Sequence, residues 1–253
     1  MKYIDYSEKD GKGYLYFNRP AKKNAFDRAL LVELELLLGE LAGKNIPKLL
    51  FISGKGDAFS AGVDLKALLD LQSVEEVRAF ALLLETVSEK IYRFPVPVIA
   101  VVNGWAFGGG FGFATAADIR IISEEARIGY PAVKLGAILP ATCTVYLQSL
   151  IGRGKVMDLL MTGKILTGRE AYETGLAEYV FPRENLWEEA EQIADTILEG
   201  GNLALQMTKH TVNYLTNLQL EAMKLYAADN FAFLSQTETW RGRMQAFASK
   251  SKK

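Results

Sequence analysis

The sequence predicts an α/β protein, with a strand-and-helix core over residues 1–182 and a helical carboxy-terminal region over residues 183–253. Two observations carry this. Short apolar runs alternate with amphipathic helical stretches, at crossover lengths suited to parallel strand pairing. After about Phe181 the strand-like runs stop and only helical patterns follow. The chain has 253 residues, 49% of them apolar and 23% charged, which is globular composition for one large domain or a core with an appendage.

The elements follow in order. Tyr3–Lys9 and Tyr14–Asn18 read as strands of a hairpin, separated by the turn signal Asp10-Gly11-Lys12-Gly13. Asp27 opens a helix whose Leu30, Leu31, Leu34, Leu37, Leu38 and Leu41 lie on one face. Lys48–Ser53 is a short buried strand, and Val77, Phe80, Leu84, Val87 and Ile91 mark a second amphipathic helix. Val96–Val102 is a strand, Gly109–Ala117 a short buried helix, and Ile119–Ser123 a strand. Beyond Pro182, the segments 184–199, 202–216, 218–235 and 237–249 read as helices, with Leu186, Ala190, Ile193, Ala194 and Ile197 as the stripe of the first. Such helices must bury their apolar faces against the core or against another subunit. The tail Lys250–Lys253 is expected to fray.

Composition excludes several classes. Twenty-nine basic residues balance thirty acidic ones, so no strong field draws in nucleic acid or an anionic membrane. One cysteine, Cys143, excludes an intrachain disulfide framework and a polythiolate zinc site, and one histidine, His210, excludes a site built on two imidazoles. His210 reads as a solvated or capping residue of the helical tail, and Cys143 as a small apolar one. The stretch from Phe94 to Ala117 lacks charge and is long enough to cross a bilayer. Its Pro95, Pro97, Asn103 and five glycines instead predict a buried strand, a turn and a buried helix. The amino terminus has no long apolar run of a secretory signal, so a cytoplasmic protein is expected.

Two glycine-rich turns, Ser53–Lys66 and Asn103–Gly112, each follow a buried strand. Glycines there let a backbone turn sharply or let a ligand approach main-chain N–H groups, and for either turn alone packing is the better explanation. A helix starting at Gly109 would aim its unpaired N–H groups at the crevice beyond the strand ends. Neither turn has the spacing of a dinucleotide fingerprint or a P-loop. Ser60-Ala61-Gly62 has Ala58 where a nucleophile elbow needs glycine.

Taken together, the motifs carry a resemblance. Phe17-Asn18-Arg19-Pro20 and Asn24-Ala25-Phe26 are followed by the run from Gly54 to Leu65. Pro97 to Gly104, Phe107-Gly108-Gly109-Gly110 and Ala117-Asp118-Ile119 come next, then Pro131 to Gly136, Leu150-Ile151-Gly152, Leu166 to Ala171 and Gly175-Leu176-Ala177. In order and spacing the chain resembles the crotonase superfamily, the enoyl-CoA hydratase/isomerase group. The resemblance implies a spiral of strand-strand-helix turns with a helical carboxy-terminal trimerisation region, and a homotrimer or a hexamer made of two trimers. It implies an acyl-CoA thioester as substrate, coenzyme A only as part of that substrate, and no metal. It places the oxyanion-hole amides at Val63 and Gly109, where donors bind a developing enolate more tightly than the ground-state thioester. It sets the coenzyme A moiety near Ala25, Ala61, Asp64, Leu65 and Lys66, with Lys66 as a phosphate partner or a solvated lysine.

The chain departs from the pattern at both general acid–base positions. The hydratase glutamates correspond to Gly112 and Ala132, so both carboxylates are absent, and each such group typically contributes about 10²–10⁴-fold to rate. Tyr130 is a candidate proton donor or a pocket-wall aromatic, and Thr142, Cys143 and Thr144 are expected in a loop near the site. The small residues at 112 and 132 predict a roomier pocket. Besides hydratase or isomerase chemistry, decarboxylation, thioester hydrolysis and non-catalytic acyl-CoA binding remain open at this point.

Overall fold

Asp10 and Gly11, with φ of 53° and 78°, join β1 (Ile4–Lys9) to β2 (Lys12–Phe17) with Lys9 opposite Lys12. Two left-handed residues match the twist of the flanking strands. The turn is therefore two residues long, and Lys12 and Gly13, expected in it, belong to β2. The computed structural model describes residues 1–250, with the side chains at 141, 215, 217–222, 224 and 250 outside the description. Of the tail expected to fray, 251–253 lie outside the described residues, and Lys250 ends the last helix.

From β2 onward the first sheet is parallel, through β3 (Leu49–Gly54), β5 (Val98–Val102), β7 (Ile119–Ser123) and β10 (Tyr179–Phe181), in the order β1-β2-β3-β5-β7-β10. Every residue of β3 and β5 is buried, as a sheet covered on both faces requires. On one face Leu49, Phe51, Ile99, Val101 and Ile121 pack under Leu186, Ala190 and Ala194 of α7 (Leu186–Leu198). On the other, Leu50, Ile52, Val98, Ala100 and Val102 join the main core with α1 (Arg28–Gly43) and α3 (Val74–Tyr92). Asp27 caps α1 by accepting from the Leu30 amide at 2.9 Å, as its sequence position predicts.

A second sheet runs β4 (Ala58–Ser60), β6 (Trp105–Phe107), β8 (Arg127–Gly129) and β9 (Ile165–Thr167), antiparallel only between the last two. Three successive segments thus place one strand in the first sheet and the next in the second: β3 then β4, β5 then β6, β7 then β8. The helices α2 (Leu65–Leu69) and α3, α4 (Gly109–Ala116), and α5 (Ala141–Thr162) follow these pairs, and α6 (Gly168–Thr174) follows β9. This is the α/β spiral of strand-strand-helix turns that the resemblance implies. The uncharged stretch 94–117 resolves into β5, β6 and α4, and among the described residues no helix is long and apolar enough to cross a membrane.

Two expectations are corrected. Residues 142–144 are not a loop: they form the first turn of α5, a helix that continues past a non-helical Gly152. The segments read as separate helices over 202–216 and 218–235 are one helix, α8 (Asn202–Ser235), because nothing between them breaks the helical pattern. It is followed by α9 (Glu238–Lys250). His210 is exposed on α8.

Candidate active site

The two glycine turns pack backbone to backbone. A Cβ on Gly62 would stand 2.5 Å from the Phe107 carbonyl oxygen and 3.0 Å from the Gly109 nitrogen, and one on Gly110 2.5 Å from the Ser60 carbonyl oxygen. Gly62 also has φ of 89°, a conformation that side chains resist. Packing therefore accounts for glycine at 62 and 110, and the same packing brings Val63 and Gly109 to one place.

Phe26 sets the direction of the Val63 amide. The Phe26 amide donates to the Gly62 carbonyl at 2.7 Å and the Asp64 amide to the Phe26 carbonyl at 2.8 Å, a parallel bridge centred on Val63. In such a bridge the central residue turns its own N–H to the opposite side. Gly109 is the first residue of α4, so its N–H has no acceptor within the helix. Both residues line one cavity of about 30 Å³. Its remaining wall comes from Ala81, Leu84 and Glu85 of α3, from Tyr130, Ile138 and Pro140 between β8 and α5, and from Ala227 and Phe231 of α8. An open apolar chamber of about 340 Å³, lined in part by Met157, Met161 and Met223, shares Tyr130, Ile138 and Ala227 with it.

Tyr130 reaches the cavity, but its hydroxyl donates to the Ile138 carbonyl. Burial, and then the neighbouring Cys143 and Glu85, push its phenol well above the ordinary value of 10.0. Its proton is held tightly and already committed to a backbone oxygen.

Gly112 does not enlarge the pocket, contrary to expectation. A Cβ there would lie 2.6 Å from Cys143 Sγ, so the thiol fills the space. Cys143 is buried, 3.3 Å from Ser88 Oγ, and burial followed by the Glu85 charge pushes its thiol up to about 12. Ala132 sits half-buried in a 3-10 turn, Pro131–Leu135, outside the lining of the cavity.

Sequence reasoning missed Glu85. It is only 1% exposed and accepts from the Thr142 hydroxyl at 2.6 Å and the Thr142 amide at 3.2 Å. The signal was available: Ala81, Leu84, Glu85 and Ser88 recur at the spacing of one helical face, and a carboxylate stands in an apolar stripe. Among the cavity-lining residues only Glu85 and Tyr130 carry an ionisable side chain.

Of the residues expected around coenzyme A, Ala61, Asp64, Leu65 and Lys66 follow β4, beside the segment that holds Ala25. The Ala61 amide donates to the Lys23 carbonyl at 2.8 Å, and Arg19 Nη1 to the Ala25 carbonyl at 2.7 Å. Asp64 caps α2, accepting from the Lys66 amide at 3.2 Å, and pairs with Lys22 at 2.8 Å. Burial pushes the Asp64 carboxyl upward, but the hydrogen bond and charge of Lys22 outweigh it and hold the group below its ordinary value. Leu65 packs against the core, whereas Lys66 is exposed and forms no ion pair among the described residues. Ser60, the half nucleophile elbow, is occupied structurally: its hydroxyl donates to the Asn24 carbonyl and accepts from the Gly62 amide.

Two sheets wound in strand-strand-helix turns, with two glycine turns in backbone contact at one cavity, define a crotonase-type protein. The chain matches the enoyl-CoA hydratase/isomerase family over residues 8–253 and belongs to it. It is 34% identical over 247 residues to a crotonyl-CoA hydratase of Syntrophomonas wolfei subsp. wolfei, covering 97% of this chain and 95% of that one. It is 31% identical to a short-chain-enoyl-CoA hydratase of Clostridium acetobutylicum, with 97% and 94% covered. The crystal structure of an enoyl-CoA hydratase/isomerase from Mycobacterium paratuberculosis superposes with a TM-score of 0.90 at 27% identity, covering 97% of this chain and 98% of that one.

Proposed function

We propose that the protein binds an acyl-CoA thioester and stabilises its enolate between the amides of Val63 and Gly109. The observation that carries this is their convergence on one cavity, one amide directed away from its bridge and the other at a helix start. As the enolate forms, negative charge grows on the thioester oxygen, and donors fixed in advance bind that charge without reorganising. Coenzyme A enters as part of the substrate, with Ala25, Ala61, Asp64, Leu65 and Lys66 along its path and no separate cofactor.

Relatives bearing hydratase and isomerase names favour enoyl-CoA hydratase/isomerase chemistry over decarboxylation, thioester hydrolysis or simple binding. Exposed apolar residues along α8, among them Leu203, Met207, Val212 and Phe233, support a homotrimer or a hexamer of two trimers.

The test is incubation in heavy water with enoyl-, 3-hydroxyacyl-, branched and malonyl-type CoA thioesters, followed by mass. Hydration, double-bond migration with deuterium uptake, decarboxylation and thioester cleavage are separable in that readout. Turnover abolished by Gly109→Pro supports the reading. Binding with no turnover across the panel would favour a binder, and no binding at all would remove acyl-CoA as the ligand.

A further inference from the structure

Both acid–base positions of the family pattern lack a carboxylate here, yet a carboxylate lines the cavity from a different helix. Glu85 projects from α3 into the wall that also holds Val63 and Gly109. The rest of that wall is apolar except for Tyr130, whose hydroxyl is spent on Ile138. Burying a carboxylate is costly unless its oxygens are hydrogen-bonded. Thr142 meets that need at one oxygen, Oε2, through its hydroxyl at 2.6 Å and its amide at 3.2 Å. Residue 142 lies in the first turn of α5, so the carboxylate also stands at the electropositive end of a helix.

We infer that Glu85 is the acid–base carboxylate of this site, held in place by Thr142, and that with one such group the site performs proton transfer along the acyl chain. The inference rests on the acyl-CoA reading above. Glu85 takes a proton from the carbon next to the thioester carbonyl. The C–H electron pair becomes the carbon–carbon double bond of the enolate, and the carbonyl π pair moves to the oxygen between the two amides. Returning the proton to the same carbon gives exchange with solvent. Returning it to the fourth carbon of a 3-enoyl chain gives the 2-enoyl isomer, with no water consumed. Hydration would demand a second group to activate water, and among the cavity-lining residues only Tyr130 is titratable besides Glu85.

A purely structural Glu85 is the competing explanation, because Pro140 gives α5 no side-chain cap and Glu85 supplies an acceptor to its first turn. Glu85→Gln separates the two, since an amide oxygen still accepts from Thr142 but the side chain no longer carries a transferable proton. The assay measures butyryl-CoA binding by calorimetry, α-deuterium uptake by butyryl-CoA, and conversion of trans-3-hexenoyl-CoA to the 2-enoyl isomer. The expected result is butyryl-CoA affinity within about threefold of wild type with exchange and isomerisation lowered about 10²–10⁴-fold. Thr142→Val, which keeps the amide donor and loses the hydroxyl, is expected to lower turnover with little change in KM, as a positioning residue should. Exchange by Glu85→Gln within about threefold of wild type overturns the inference. So does a wild-type protein that binds butyryl-CoA and exchanges nothing, although acyl-CoA binding then stands. No binding by wild type removes the acyl-CoA reading itself and the inference with it. If Glu85→Gln does not fold, Thr142→Val carries the test, and unchanged turnover there overturns the assignment.

Discussion

Cys143 Sγ occupies the space that a side chain at Gly112 would need, 2.6 Å from where its first carbon would be. Glycine at 112 and the buried thiol on α5 are thus one packing arrangement. Gly112→Ala should destabilise the protein by about 1–3 kcal/mol through overpacking, although alanine is the better helix former. In a Cys143→Ala background the obstruction is gone, and the same substitution should become neutral or stabilising by up to about 1 kcal/mol. Urea unfolding of the four proteins checks this. Equal effects of Gly112→Ala in both backgrounds would contradict it.

The thiol of Cys143 should be inert in the folded protein. Burial, with the Glu85 charge, raises it from 9.0 to about 12, and the thiolate is the reactive form. An aromatic disulfide reagent at pH 8 should leave the native protein unlabelled and label one thiol after denaturation. The sign of the stability effect follows from linkage: the folded value lies above the unfolded one, so the contribution is intact below pH 9.0 and falls as pH rises from there toward about 12. Cys143→Ala should therefore lose less stability than wild type over that window, measured by unfolding midpoints from pH 7 upward.

Removing the Gly109 amide should cost turnover far more than binding. Loss of one oxyanion donor typically lowers kcat about 10²–10³-fold. Proline is sterically at home in the first position of a helix, while its added carbons press on the Phe26 ring, which a Cβ would meet at 3.2 Å. A Gly109→Pro protein with native circular dichroism, retained acyl-CoA affinity and lost turnover is the expected outcome. Unchanged turnover would place the oxyanion elsewhere.

Lys209 on α8 reaches back to the sheet, its ammonium 2.7 Å from Asp118 and 3.1 Å from the Val96 carbonyl oxygen. Asp118 also accepts from the Val98 amide at 2.7 Å. Burial raises the Asp118 carboxyl and lowers the Lys209 amine, so each depends on the other to remain charged. Lys209→Met should cost about 3 kcal/mol, because it strands a desolvated carboxylate. Adding Asp118→Asn should recover part of that loss. A double-mutant cycle in urea measures the coupling, and additive losses would show that the pair contributes none.

Lys66 is exposed and outside any ion pair among the described residues, which suits a phosphate partner. Lys66→Ala should weaken acyl-CoA binding severalfold at low salt, with the difference shrinking as salt rises. Stability should change by less than about 0.5 kcal/mol, as for most surface substitutions. Affinity equal to wild type at low salt would return Lys66 to the role of a solvated lysine.

The order of apolar runs and breakers determined the alternation of strands and helices, the Asp27 cap and the end of the sheet at Phe181, because periodicity and turn chemistry are local properties of the chain. The resemblance carried by the motifs implied Val63 and Gly109 as the paired donors, and Gly112 and Ala132 at the positions where it expects glutamates. Tertiary structure alone decided which side chains stand around those positions. Cys143 lies 31 positions from Gly112 and Glu85 lies 57 positions from Thr142, counted directly along the chain. Their meeting depends on how α3, α4 and α5 pack, which no local pattern encodes. Tyr130 shows the same division: sequence placed its ring near the site, and the fold gave its hydroxyl to the Ile138 carbonyl. A side chain's chemistry is written in its residue type, but which proton, oxygen or cavity it meets is fixed only when distant helices bury it together.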